Sequence, residues 1–173
     1  AHTTEAEKRM AADALRDALP PPPDDSPESP PSGSTAWTHE DWMREQLGDL
    51  LLDLERDRLS PDEYVALCRR TGHWGECADR LLAVDRIEEA AEAAAHLPDH
   101  RLRQVLDRFV EQGAPDTAVA LAERRLDREP PSLRLCRWLY DHARSTDQYE
   151  QALDVARRLF DEQPSVSAYD RVR

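Results

Sequence analysis

The sequence predicts an all-α fold: a right-handed α-solenoid of antiparallel helix hairpins, preceded by a separate N-terminal helix. Three observations carry this. Two adjacent 34-residue segments, 99–132 and 133–166, align without a gap and share seven identities: Arg103/Arg137, Asp107/Asp141, Ala118/Ala152, Ala122/Ala156, Arg124/Arg158, Asp127/Asp161 and Pro130/Pro164. Units of that size are helix pairs that bury their apolar faces by stacking, and the stack presents a surface. No segment alternates apolar and polar residues with a strand period over a useful length. Connections between helical segments are short, which forces successive helices to run antiparallel.

Taken in order, residues 4–19 read as one helix. Thr4 and Glu7 form a capping box, and Ala6, Met10, Ala11, Ala14 and Leu15 make a thin apolar face. Seven of the thirteen prolines lie between residues 20 and 31, so 20–36 reads as an extended Pro/Ser-rich linker. The repeat domain is expected over 37–173. Its first helix begins at Thr38, with Trp42, Met43, Leu47, Leu50, Leu51 and Leu54 inward. Ser60-Pro61-Asp62-Glu63 is a helix start, with an N-cap, a proline in the first turn and an acid at the third position. That helix carries Tyr64, Leu67 and Cys68 and stops at Gly72. A short helix over 74–84 places Cys77, Leu81 and Leu82 inward, and Asp85 caps the next one through Glu88. Pro98 separates the Ala-rich run from a helix over 99–112 that ends at Gly113. Helices at 115–128, 132–145 and 148–162 follow, and Pro164-Ser165 opens another.

Two resemblances attach to these strings. Tyr149-Glu150-Gln151-Ala152-Leu153 continuing to Ala156, Leu159, Phe160 and Pro164 resembles the second helix of a tetratricopeptide repeat, and Ala118, Ala122, Leu126 and Pro130 repeat it. The first helices depart from that pattern, because Leu106 and Tyr140 stand where a small residue is usual. The strings 60–72 and 80–90, with Ala156-Arg157-Arg158-Leu159-Phe160 through Pro164-Ser165, resemble the helical region C-terminal to the zinc module of prokaryotic SWIM zinc-finger proteins. The Cys-x-Cys and Cys-x-His spacings of that module do not occur, so none of its metal ligands carries over to this chain. The resemblance implies an accessory helical domain, associated with nucleic acid only through a module this chain lacks.

Charge narrows the partners. Asp plus Glu number 36 against 23 Lys plus Arg, a net charge of −13, with Lys8 the sole lysine. Such a balance disfavours a duplex-binding surface, which needs clustered cations. It fits either a solvated acidic surface or an acidic docking face for a basic partner. No stretch approaches the roughly 20 apolar residues of a membrane helix, and no apolar core follows the first residues as in a signal peptide. The chain starts at Ala1, which reads as a fragment of a longer protein or a processed product. Three cysteines without a secretory signal point to a reducing cytoplasm and buried thiols.

Chemistry-bearing motifs are sparse. Cys68, His73 and Cys77 do not have the spacing of common zinc modules and read as buried packing groups. There is no nucleophile elbow, phosphate-binding glycine loop or His-Glu-x-x-His string. The expectation is therefore a non-catalytic chain without a cofactor. Trp42, Trp74 and Trp138 read as core or hairpin plugs, and Trp37 as a staple at the start of the repeat domain.

The most informative polar set lies on the first helices of the 34-residue units. In tetratricopeptide folds these helices line a concave groove. Carried over by position, the resemblance implies groove residues His100, Arg103, Asp107 and Val110, then Arg134, Arg137, Asp141 and Arg144. Four arginines there would grip an acidic or carboxylate-ended peptide by bidentate bonds. The competing reading is that Arg103–Asp107 and Arg137–Asp141 simply pair with each other at i, i+4, for about 0.2–0.5 kcal/mol each.

Overall fold

A computed structural model of the chain describes residues 5–20, 39–127, 132–162 and 164. The described residues are all-helical and contain no strand. They fall in two compact units, 1–84 and 85–173. The expected starts at Thr4 and Thr38, the Trp37 staple and the helix opening at Ser165 lie outside the described residues.

In the first unit, α1 (Glu5–Ala18) packs on α2 (His39–Glu55), α2 on α3 (Pro61–Thr71), and α3 on α4 (Trp74–Leu82). The start of α3 follows its sequence signal. The Ser60 hydroxyl accepts the Glu63 N–H at 3.3 Å, and the Glu63 carboxylate accepts the Ser60 N–H at 2.9 Å. Two otherwise orphaned donors are thereby satisfied. The Ser60 hydroxyl and backbone N–H also hold the Glu63 carboxyl below its ordinary value. At the other end Gly72 takes φ 78°, and the His73 N–H closes onto the Cys68 carbonyl at 2.9 Å. As expected, Tyr64, Leu67, Cys68, Cys77, Leu81 and Leu82 are buried.

Two helices are rotated from their expected faces. On α1, Ala6, Met10, Ala11 and Ala14 are exposed, while Ala12 and, just past the helix, Leu19 are buried. On α2, Trp42 and Leu50 are exposed, and the buried positions are Arg44, Gly48, Leu51, Leu52 and Glu55. The cause is polar pairing at long range. Arg16 of α1 bonds the Glu55 carboxylate, which is 2% exposed and has Arg58 at 3.6 Å as a second cation. A buried carboxylate needs such partners, so the pairing turns that stripe of α2 inward. On the same face Gly48 lets His73 approach. The two ring nitrogens of His73 lie 2.8 Å from the Thr71 hydroxyl and 2.9 Å from the Asp49 carboxylate.

The second unit comprises α5 (Ile87–Ala94), α6 (Asp99–Glu111), α7 (Pro115–Leu126), α8 (Leu133–Ser145) and α9 (Tyr149–Glu162). Asp85 does not cap α5. It adopts a left-handed φ of 59°, and Arg86 is the N-cap, with no side-chain capping bond. A short polar side chain tolerates that left-handed conformation.

The 34-residue offset is visible in the backbone. α6 and α8 start at 99 and 133 and end at 111 and 145, and α7 and α9 start at 115 and 149. Each first helix ends in a left-handed residue, Gly113 at φ 78° and Asp147 at φ 60°. The same closure follows: the Ala114 N–H bonds the Phe109 carbonyl at 2.9 Å, and the Gln148 N–H the Ala143 carbonyl at 2.8 Å. Leu102, Val105, Leu106 and Phe109 are buried, as are their counterparts Cys136, Leu139, Tyr140 and Ala143. Within each hairpin the helices pack together, α6 on α7 and α8 on α9, and α8 also packs on both α6 and α7.

Candidate functional site

Side chains that fill the interior positions of α6 and α8 leave the opposite polar faces of these helices beside each other. An open groove of about 890 Å³ lies there, lined by Arg103, Asp107, Val110 and Glu111 of α6 and by Arg134, Arg137, Trp138, Asp141, His142 and Ser145 of α8. Of the eight positions expected from the repeat, six line it: Arg103, Asp107, Val110, Arg134, Arg137 and Asp141.

His100 and Arg144 do not. His100 is exposed one turn N-terminal to Arg103, beyond the groove-lining stretch of α6. Arg144 lies instead on the stripe of α8 that includes Tyr140, four residues earlier. Its guanidinium stands over that ring at 5.9 Å and donates to the phenol oxygen at 3.4 Å. The Tyr140 hydroxyl holds Arg144 further into its charged range.

Four lining residues were not expected: Glu111, Trp138, His142 and Ser145. The spacing 134, 137, 138, 141, 142, 145 is a complete helical face, and following it along α8 would have included them. Trp138 is buried, as expected of a plug, but its ring edge also works in the groove. Its Nε1–H donates to the Asp107 carboxylate at 2.6 Å, joining α8 to α6. Its ring stacks on His142 with centroids 5.2 Å apart and planes 3° from parallel.

The alternative of self-paired charges holds for only one of the two units. Arg103 reaches Asp107 at 3.9 Å, with both side chains 48% exposed, the geometry of a weak surface pair. Asp107 is committed more closely to Trp138. Among the described residues Arg134 and Arg137 have no ion-pair partner, and Arg137 is not paired with Asp141. The groove is thus mixed in charge, with three arginines and three carboxylates, in a chain of net charge −13. Arg134 stands in the first turn of α8, which carries no acid. Cations are unfavourable beside the positive end of a helix dipole, so an incoming anion would relieve both.

Among the described residues no group of three or more His, Cys, Asp or Glu is placed to hold a metal ion. Cys68, Cys77 and Cys136 are buried free thiols, and burial pushes Cys68 well above the ordinary thiol range, with Cys77 and the Glu76 carboxylate adding to the rise. Burial likewise raises Cys136. No helix among the described residues is long and apolar enough to cross a membrane. Fold and site together define an all-helical chain carrying a polar groove between two equivalent helices. Compared with known protein families, curated proteins and solved structures, it matches none.

Proposed function

We propose that this chain is a non-catalytic protein-interaction module, a tetratricopeptide-like helical repeat acting as scaffold or adaptor in a larger assembly. Its groove between α6 and α8 receives an acidic or carboxylate-ended peptide. One observation carries the reading: Arg134 and Arg137, both on α8, line an open groove beside the backbone-repeated helix α6, while no described carboxylate pairs with them. Guanidinium groups held this way suit bidentate recognition of a carboxylate, and solvent-open polar lining suits a peptide better than a buried small molecule. Asp141 and Glu111 on the same walls disfavour simple polyanions and favour a segment carrying a single carboxylate or mixed charges.

The test uses the full chain and a set of Asp- and Glu-containing peptides prepared with free or amidated C-termini, read by fluorescence anisotropy. Expected are selective binding of free-carboxylate or acidic peptides and a loss of at least about tenfold in the Arg134→Glu, Arg137→Glu double variant. Both side chains are exposed, so helical circular dichroism is expected to be unchanged. Binding that ignores both the charge reversal and the amidation overturns the groove reading.

A further inference from the structure

We propose that the outer face of α2 is a docking seam for a basic amphipathic helix of a partner protein. The surface lies in the first unit and is independent of the groove between α6 and α8. Met43, Leu47, Leu50 and Leu54 follow one another at spacings of four, three and four, the spacing of a helix–helix seam. Leu50 is 54% exposed and Met43, Leu47 and Leu54 are only half-buried, because Arg16 and His73 draw the neighbouring face of the helix inward. Trp42 extends the stripe at one edge, 53% exposed and stacked on His39 at 6.0 Å. Single exposed apolar residues are ordinary, whereas an aligned set with an exposed Trp marks an interaction surface.

The charge around the seam specifies the occupant. α2 carries six carboxylates and one arginine, and that arginine, Arg44, is buried. Glu40, Asp49 and Asp53 are exposed along the helix, while just beyond it the exposed Asp57 stands between Arg56 and Arg58, the latter turned to Glu55 at 3.6 Å. The last turn of α2 has no basic residue to offset the negative end of the helix dipole. A docking segment therefore meets an apolar stripe bordered by negative potential. Two nearer occupants are poorly matched. Residues 21–38 contain Asp24, Asp25 and Glu28 and no Lys or Arg, so they bring like charge to an acidic border. A second copy of α2 would set carboxylates against carboxylates. A helix with leucine-like residues at heptad spacing, flanked by Lys or Arg, satisfies both the stripe and its borders.

From Met43 to Leu54 the seam spans about 17 Å, roughly three helical turns. Contact of that extent is smaller than a standard interface, so affinity in the micromolar range is expected. The probe is a fluorescein-labelled peptide of about 15 residues built of Leu and Lys, with Leu at heptad spacing. Two controls have the same Leu positions with Glu for Lys, or the same composition in scrambled order. Anisotropy is measured with the full chain at about 0.15 M salt, where exposed charges beyond roughly 8 Å are screened. The heptad Leu–Lys peptide is expected to bind, the Glu peptide not, and Leu50→Asp to weaken binding by at least about tenfold. That substitution adds a carboxylate, so purely electrostatic attraction would hold or strengthen. Trp42→Ala, also at an exposed position, serves as the second variant and is expected to weaken binding in the same direction. Equal binding by Leu50→Asp, or by the scrambled peptide, overturns the proposal. So does dimerisation of the chain, or partition onto phosphatidylcholine vesicles, that Leu50→Asp abolishes, since the seam would then serve a second copy or a membrane.

Discussion

Gly48 offers a test in which two physical effects have opposite signs. In the interior of an exposed helix, Gly→Ala stabilises by about 1 kcal/mol, because Ala restricts the unfolded chain and favours the helix. Gly48 is buried, and a Cβ built on it would lie 2.8 Å from both the His73 Nδ1 and the Thr71 Cβ. Neither neighbour retreats easily. His73 is 5% exposed and bonded at both ring nitrogens, and the Thr71 hydroxyl is tied to the Leu67 carbonyl at 2.9 Å. Overpacking of this kind costs about 1–3 kcal/mol. Displacing the imidazole forfeits up to two hydrogen bonds, each contributing about 0.5–1.5 kcal/mol. Set against the propensity gain, Gly48→Ala is expected to destabilise the first unit by about 2–3 kcal/mol. For a unit of this size that corresponds to a melting point lower by roughly 10 °C or more.

Urea titration followed by circular dichroism measures the change, and a double-mutant cycle with His73→Ala assigns its cause. If the imidazole is the obstacle, Gly48→Ala costs at least about 1 kcal/mol less when His73 is already Ala. The Thr71 contact persists in that background, so the cost does not vanish. A Gly48→Ala protein more stable than the parent would refute the close approach of α2 and His73, and with it the inward face assigned to α2.

Two further outcomes follow from local chemistry. Ser60→Ala removes the hydroxyl arm of the α3 capping box and is expected to cost about 1 kcal/mol at neutral pH. Glu63 is held low in the folded chain, so its bonding contributes fully above the unfolded glutamate value and is lost as pH falls through the lowered one. The gap between parent and variant in urea midpoints should therefore narrow in acid, and a gap independent of pH counts against the box. Burial raises Cys68 and Cys136, which keeps them as unreactive thiols above neutrality. Dithiobis-nitrobenzoate should react slowly with the native chain at pH 8 and count three thiols after guanidinium unfolding. Rapid reaction of either Cys68 or Cys136 in the native chain would show that its helix opens.

Local signals placed most helix boundaries within a residue or two, because caps and turns act over neighbouring residues. Ser60-Pro61-Asp62-Glu63 and Gly72 bracket α3 in the structure as they do in the sequence. What escaped the sequence was orientation. Counting apolar residues put Trp42 and Leu50 inside, yet the inside of α2 holds Arg44, Gly48 and Glu55, three residues that such counting assigns to solvent. Their partners, Arg16 and His73, stand 39 residues before Glu55 and 25 after Gly48, beyond the reach of helical periodicity. The groove was legible for a different reason. The repeat register, with the groove positions that the tetratricopeptide resemblance implies, singled out Arg103, Asp107, Arg134, Arg137 and Asp141, and all five line the same cleft. Register did not reveal that Arg144 belongs to the stripe of Tyr140, nor that Trp138 both plugs the core and bonds Asp107.

The identities between the two units divide by what packing requires. Ala118, Ala122, Ala152 and Ala156 are buried, where only a small side chain lets the paired helix approach, so their recurrence is a condition of the hairpin. The left-handed turn recurs in conformation with different residues, Gly113 in one unit and Asp147 in the other, because backbone closure rather than side-chain identity is what the turn needs. Arg103, Asp107, Arg137 and Asp141 fit neither explanation. They lie on the groove, take no part in helix closure, and pair differently in the two units. Asp107 is fixed by Trp138, whose counterpart 34 residues earlier is Gln104, while among the described residues Arg137 bonds no carboxylate. One repeated charge pair thus gives a groove with a braced wall on α6 and an open cationic wall on α8. Under the proposed peptide-binding reading, that asymmetry would direct a carboxylate to Arg134 and Arg137, and makes those two arginines, rather than Arg103, the positions where charge reversal should act most strongly.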